Sequence, residues 1–266
     1  MTQDTFLIAL PPQQLRALQG WDAVPAYLSY RAGPGSRLLR SGSPAPRPGG
    51  LMVVDDQGYD GLGNLLPFCR DVLREVQMRG FSGVVLDFDR RLPPLEQIAV
   101  RLEEGLSRRK AVLYVPETYG TLALRAKVLI SSALSGGSLA QRLEEAGEQF
   151  GRDRVVLAVE PVREDFPLPC PTGCGDPLSR EGLAELMDRR RPSVFFSREL
   201  CARYFTYMDR EAGAHFVLFD DGETIAHKLE VARKAGINTV LLPLAEVQPH
   251  LGRLGVRKLS NQPVRG

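Results

Sequence analysis

Two carboxylates spaced i, i+2 close the run Gly80-Phe81-Ser82-Gly83-Val84-Val85-Leu86-Asp87-Phe88-Asp89. Residues 83–86 read as a buried strand, and period-2 geometry points Asp87 and Asp89 to one side of it. Acids delivered to the C-terminal end of a parallel strand can do general acid–base work or hold a polar ligand. The bland alternative is that they open a solvated loop. Other apolar runs also end near acids: Asp55 and Asp56, Glu117, Glu160 and Glu246. Such acids, gathered at one rim, could instead bind a divalent cation.

Other reactive side chains carry less. Cys170 and Cys174, in C-P-T-G-C, form a single C-x-x-x-C with no second half. The two could pair or help bind a metal, but the spacing is a weak zinc signal, and unpaired loop thiols in a reducing compartment are the simpler reading. His215 and His227 read as structural. Ser131, Ser132 and Ser135 beside Gly136-Gly137 lack the G-x-S-x-G frame of a nucleophile elbow. No Gly-rich phosphate turn follows the first strand, so neither a nucleotide nor another cofactor is implied, and no metal is assigned.

The elements that must position these residues alternate. Apolar strands are expected over residues 5–10, 24–30, 50–56, 83–87, 111–115, 127–134, 154–162 and 239–244. Helices are expected after Pro11-Pro12, after the cap Asn64, after Pro93-Pro94 and after the cap Ser138. A last helix carries Ile225, Leu229 and Ala232 on one face and stops at Gly236. Cys69 falls on the apolar stripe of the second of these helices, as a buried thiol. Residues 31–50 are rich in Pro, Gly and Ser and read as a loop. Residues 163–217 leave the alternation for a Pro/Cys loop, a helix near 179–190 and three extended stretches. Eight strands with mostly helical crossovers give a (β/α)8 TIM barrel, one domain over 1–266, with 163–217 as a small inserted α+β lobe between strand seven and the last helix. An open doubly wound sheet is the runner-up.

Composition narrows the function classes. The 266 residues are 43% hydrophobic and 25% charged, with a formal net charge of +2. That balance argues for no nucleic-acid partner and no membrane surface; Arg189-Arg190-Arg191 is a lone basic triplet. No run approaches a membrane span, and the start, MTQDTFLIALPPQQ, is not a secretory signal. A cytoplasmic protein is expected.

The fourth-strand segment resembles the D-G-x-D-x-D-x-E signature of glycoside hydrolase family 18. A longer resemblance covers residues 204–244, which look like the tail of the LysM-associated, spore-type branch of that family. Tyr204, Tyr207, Asp209, His215, Val217, Phe219, Asp221, Ile225 and Lys228 match that pattern, and its Gly and Ser fall on Ala212 and Thr224. The strand order follows the family as well; the segment around 31–49 departs, since the family has a helix there. The resemblance implies retaining, substrate-assisted hydrolysis next to N-acetylglucosamine. An acid protonates the glycosidic oxygen while the preceding carboxylate holds the acetamido group that attacks the anomeric carbon.

Carried over residue by residue, the acid is Asp89 in place of glutamate and the acetamide holder is Asp87. The motif's first two aspartates fall on Ser82 and Val85, the strand-six tyrosine and aspartate on Ser132 and Ala133, and the strand-eight tryptophan on Pro243. Asp is a methylene shorter than Glu, and a misplacement of roughly 1 Å can cost on the order of a hundredfold in rate. Together the departures point to an impaired or inactive barrel that binds an N-acetylglucosamine-containing glycan or serves an assembly role, with peptidoglycan and the spore as its setting. The alternative is a divergent hydrolase with Asp89 as general acid. Expected substrate contacts are the rim acids Asp55, Glu117, Glu160 and Glu246, together with Tyr119, Ser132 and Tyr207. The expected partner is the glycan or a protein.

Overall fold

The computed structural model describes residues 4–41, 48–134, 136–171, 173–210 and 213–259. Ser135, Ala212 and residues 42–47 of the expected loop lie outside the described residues. The chain runs β1 (Thr5–Leu10), β2 (Val24–Gly33), β3 (Arg37–Arg40), β4 (Leu51–Asp55), α1 (Leu65–Arg79), β5 (Gly83–Asp87), α2 (Pro93–Ser107), β6 (Val112–Pro116), β7 (Lys127–Ser131), α3 (Leu139–Phe150) and β8 (Val155–Ala158). It continues through β9 (Arg163–Leu168), β10 (Asp176–Pro177), α4 (Arg180–Arg190), β11 (Phe195–Ser197), β12 (Ala202–Asp209), β13 (Gly213–Phe219), α5 (Gly222–Lys234), β14 (Thr239–Pro243) and α6 (Leu244–Val247).

Eight of these strands are parallel and pair in the order β1-β14-β8-β7-β6-β5-β4-β2, and β2 returns to β1. The sheet therefore closes on itself as a (β/α)8 barrel, with β5 as its fourth strand. Leu7, Ala26, Leu51, Val53, Val85, Tyr114 and Val156 fill the interior. The opposite faces of the same strands pack under the helices, where Met52, Val54, Val84 and Leu86 meet Phe68, Val72, Leu95 and Leu102. Being buried on both faces is why these strands read as unbroken apolar runs.

Three helices begin at the signals expected of them, after Asn64, at Pro93-Pro94 and after Ser138, while the segment after Pro11 is a 3-10 helix, Pro12–Leu18. The Asn64 side chain accepts from the backbone N–H of Leu66, and Gly80 ends α1 in the left-handed region at φ 66°. Asp221 and Thr224 close a reciprocal capping box on α5. After β6 the crossover holds only a 3-10 turn, Glu117–Tyr119, so α2 has no helical neighbour on that side.

Two expectations are corrected. Residues 31–50 do not form one loop: β2 runs on to Gly33, turns through Gly35 and Ser36, and pairs antiparallel with β3. Asp60 accepts from the Gly35 N–H, and the Ser36 hydroxyl donates to the Leu62 carbonyl, so the hairpin is docked on the loop after β4. The sixth and seventh strands end at Ser131 and Ala158, short of the expected 134 and 162. The inserted lobe is a five-stranded antiparallel sheet, β10-β9-β13-β12-β11, backed by α4.

Candidate active-site rim

Alternation along β4 and β5 puts Val53 and Val85 in the barrel interior and carries Asp55 and Asp87 to its mouth, where they are register partners. Neither Asp87 nor Asp89 has a carboxylate hydrogen bond or ion pair among the described residues. Asp87 is exposed at the mouth, with the barrel wall packed around its base in the strand. Desolvation by that wall, and then the charges of Asp89, Asp55, Glu160 and Asp56, push its pKa up to about 6. A carboxyl of this kind holds a proton part of the time near neutral pH.

The loop after β5 is fixed from behind. Asp56, 1% exposed, accepts from the Asp89 N–H at 3.1 Å and pairs with Arg90 Nε at 2.9 Å. The same guanidinium donates to the carbonyls of Asp56 and Tyr59. The Tyr119 hydroxyl donates to the Arg90 carbonyl, and its ring meets Phe88 edge-on at 6.0 Å. The turn that presents Asp89 is thus braced by groups from two other loops, those after β4 and β6.

Beside Asp55 and Asp87 opens a cleft of about 500 Å³ whose other wall is the β2–β3 hairpin. Leu28 and Leu39 line it as exposed apolar surface, with Arg31 and Arg40 at its edge. Arg31 Nε reaches Asp55 at 3.0 Å. Across the mouth, Ser131 donates to Glu160 Oε2 at 2.7 Å.

The structure gathers Asp55, Asp87, Asp89 and Glu160 at one rim and takes the other expected contacts elsewhere. Tyr119 is fully buried as the brace just described, so no ligand reaches it. Ser132 is fully buried too; its hydroxyl accepts from the Glu160 N–H at 3.1 Å and splices β7 to the loop after β8. Leu129 packs in the interior and Ile130 under the helices, so the residue β7 turns into the mouth is Ser131, one position earlier. Glu117 is ion-paired to Arg142. Glu246 binds Arg163 at 3.0 Å and Arg180 at 2.8 Å and so ties the lobe to α6; burial pushes its pKa up, but Arg180 and Arg163 carry it below the usual range. Tyr207 belongs to the lobe: its hydroxyl donates to Asp165 at 2.6 Å and its ring stacks on His215.

Sequence reasoning missed Ser131, Arg31 and the Asp56–Arg90 pair as parts of the rim. Among the described residues no three of His, Cys, Asp and Glu form a set that could hold a metal ion. The Cys170 thiol donates to the Cys174 carbonyl at 3.3 Å.

No protein-family model and no curated protein sequence matches the chain. Solved structures do. The spore cortex-lytic enzyme SleL of Bacillus cereus superposes with a TM-score of 0.68 at 15% identity, covering 95% of this chain and 73% of that one. A chitinase of Chromobacterium violaceum superposes at 0.67 and 16%, covering 91% and 95%. A family 18 chitinase of Cycas revoluta, crystallised with (GlcNAc)3, superposes at 0.64 and 12%, covering 94% and 98%. The fold is that of the family 18 chitinases.

In this family 18-like barrel the two earlier motif positions are accounted for locally. Val85 is 2% exposed and packs against Val53 and Val156 in the interior. The Ser82 hydroxyl donates to the carbonyls of Gly49 and Gly50 at the strand's N-terminal end, about 16 Å from the rim for five residues of strand. Pro243, paired with Ala9, offers a small ring where a tryptophan would give a stacking floor. Among the described residues no helix is long and apolar enough to cross a membrane.

Proposed function

We propose that this family 18-like barrel binds an N-acetylglucosamine-containing glycan in the cleft beside Asp55 and Asp87, with hydrolysis impaired or lost. One observation carries the reading: the carboxylates of Asp87 and Asp89 have no partner among the described residues at an open rim, while the residues beneath and opposite them are Val85, Ser131 and Pro243. The first half of that arrangement suits hydrogen bonding to an acetamido group. The second removes the relay carboxylate, the orienting tyrosine and the stacking ring that the family resemblance calls for. Leu28 and Leu39 supply apolar surface for a sugar face in their place. The likeness to a chitinase crystallised with (GlcNAc)3 supports the ligand class, and the likeness to SleL supports a spore-associated setting on peptidoglycan. An assembly role with a protein partner fits the same rim.

A second reading, weak hydrolysis with Asp89 as general acid, is favoured by the exposed position of Asp89 next to Asp87 at the rim. Calorimetric titration with chitotriose, alongside turnover of an aryl-chitooligosaccharide, separates the two. The expected outcome is binding that weakens about tenfold or more in Asp87→Asn, with no turnover in the wild type or in Asp89→Glu. Turnover abolished by Asp89→Asn establishes the weak hydrolase, and absence of binding ends the glycan reading.

A further inference from the structure

On the outer surface of the barrel, away from the rim, α1 and α2 enclose a groove of about 610 Å³. The helices approach closely because residue 105 is glycine: a Cβ there would lie 2.5 Å from a methyl of Leu73. Leu73 and Cys69 form the apolar floor, and Leu66 and Met78, 57% and 69% exposed, stand among its lining residues on α1. Arg70 and Arg74 line it from α1, Arg101, Arg108 and Arg109 from α2 and the turn after it. Glu104 is the sole carboxylate in the lining among the described residues.

These guanidiniums are not spent within the fold. Arg109 donates to the carbonyl of Gly105, but Arg70, Arg74, Arg101 and Arg108 make no hydrogen bond or ion pair among the described residues. Three of the five acids on the same helices are engaged elsewhere, Glu75 with Arg79 and Tyr30, Glu96 with Arg91, and Glu103 with the backbone N–H groups of Arg125 and Ala126; Asp71 and Glu104 are not. A chain of net charge +2 thus concentrates five arginines around one apolar trough. The surface continues past α2, where the missing crossover helix leaves Val100 and Leu122 beside a second hollow that shares Arg101 and Glu104.

We infer that the α1–α2 groove is a docking site for an acidic amphipathic helix of a partner protein. Apolar residues at i, i+3 and i+4 would meet Leu66, Leu73 and Met78, and flanking carboxylates would meet the two arginine walls. The floor is what separates this occupant from a nucleic acid or another polyanion, which would use the arginines and gain nothing from the leucines.

The test is fluorescence anisotropy with a roughly 18-residue labelled Glu/Leu amphipathic peptide, long enough to be helical. Polyglutamate of equal charge and a short DNA duplex serve as comparison ligands. Expected are at least about tenfold weaker binding for the Arg70→Glu/Arg101→Glu variant and a comparable loss between about 50 and 500 mM NaCl. Polyglutamate and DNA are each expected to bind roughly tenfold or more below the peptide. Both arginines are exposed and unpaired, so the melting temperature should hold. Should the variant unfold, the milder Arg74→Gln/Arg108→Gln variant reads the same loss. Absence of peptide binding, indifference to both variants, or polyglutamate or DNA binding as tightly as the peptide overturns the proposal.

Discussion

At the scale of single residues, two of the rim acids, Asp87 and Asp89, have no hydrogen-bond or ion-pair partner for their carboxylates among the described residues. Asp87 sits where desolvation and four neighbouring carboxylates make its charge costly. Its pKa is raised in the folded chain, so between the unfolded value of 3.8 and about 6 the folded state binds more protons. Stability from this residue is therefore fully present below pH 3.8 and is lost as pH rises through 6. Asp87→Asn should raise thermal stability at pH 7.5 by about 1 kcal/mol, after allowance for solvent screening. Scanning calorimetry should show that gain vanish below pH about 4, where Asp87 is protonated in both states. A gain of equal size at both pH values would mean that Asn packs better, not that charge was relieved. The D-x-D pair was legible in the sequence because a buried strand ends there and nothing interrupts it. The Asp56–Arg90 brace was not, because it forms between two loops 34 residues apart and only closure of the barrel brings them together.

At the scale of elements, a buried ion pair in the matched tail joins the Glu246 contacts in holding the lobe to the barrel. Lys228 on α5 is fully buried with its Nζ 2.6 Å from Asp220. Asp220 also accepts from the Val162 N–H and the Thr224 hydroxyl, so one carboxylate joins the end of β13, the start of β9 and the first turns of α5. Lys228→Met removes the cation and leaves that carboxylate buried, at a cost of about 3–5 kcal/mol. The melting temperature should fall by roughly 6–12 °C, and Asp220→Asn added to Lys228→Met should recover part of the loss. A melting temperature unmoved by Lys228→Met would remove the pair as an anchor. The tail pattern matched Lys228 and Asp221, but the carboxylate that Lys228 meets is the neighbouring Asp220, while Asp221 caps α5 and binds Arg203. On β7, sequence reasoning chose Ser132, whereas Ser131 faces the mouth; with a side-chain period of two, one position reverses the face. The β3 strand escaped notice because Arg37-Leu38-Leu39-Arg40 is too short for alternation to show, and its neighbours are Pro and Gly.

At the scale of the whole molecule, the barrel was the most legible feature, since eight strands buried on both faces must each be nearly continuous apolar runs. The distribution of charge was the least legible, because a sum of +2 says nothing of where the charges lie. Folding separates them: Asp55, Asp87, Asp89 and Glu160 gather at the mouth, while Arg70, Arg74, Arg101 and Arg108 gather on the α1–α2 flank. The proposed ligands of these two poles differ in charge, so salt should distinguish them. A neutral chitooligosaccharide at the rim is held by hydrogen bonds and apolar contact, neither of which is screened; its affinity should change by no more than about twofold from 50 to 500 mM NaCl. An acidic peptide on the flank, held largely by exposed guanidiniums, should lose more than about tenfold over the same range. The two should also bind together without competing, which titration of one in the presence of the other would show. If the oligosaccharide affinity fell in step with that of the peptide, or either ligand displaced the other, both would be using one surface. The separation into an acidic mouth and a basic flank would then have no functional meaning.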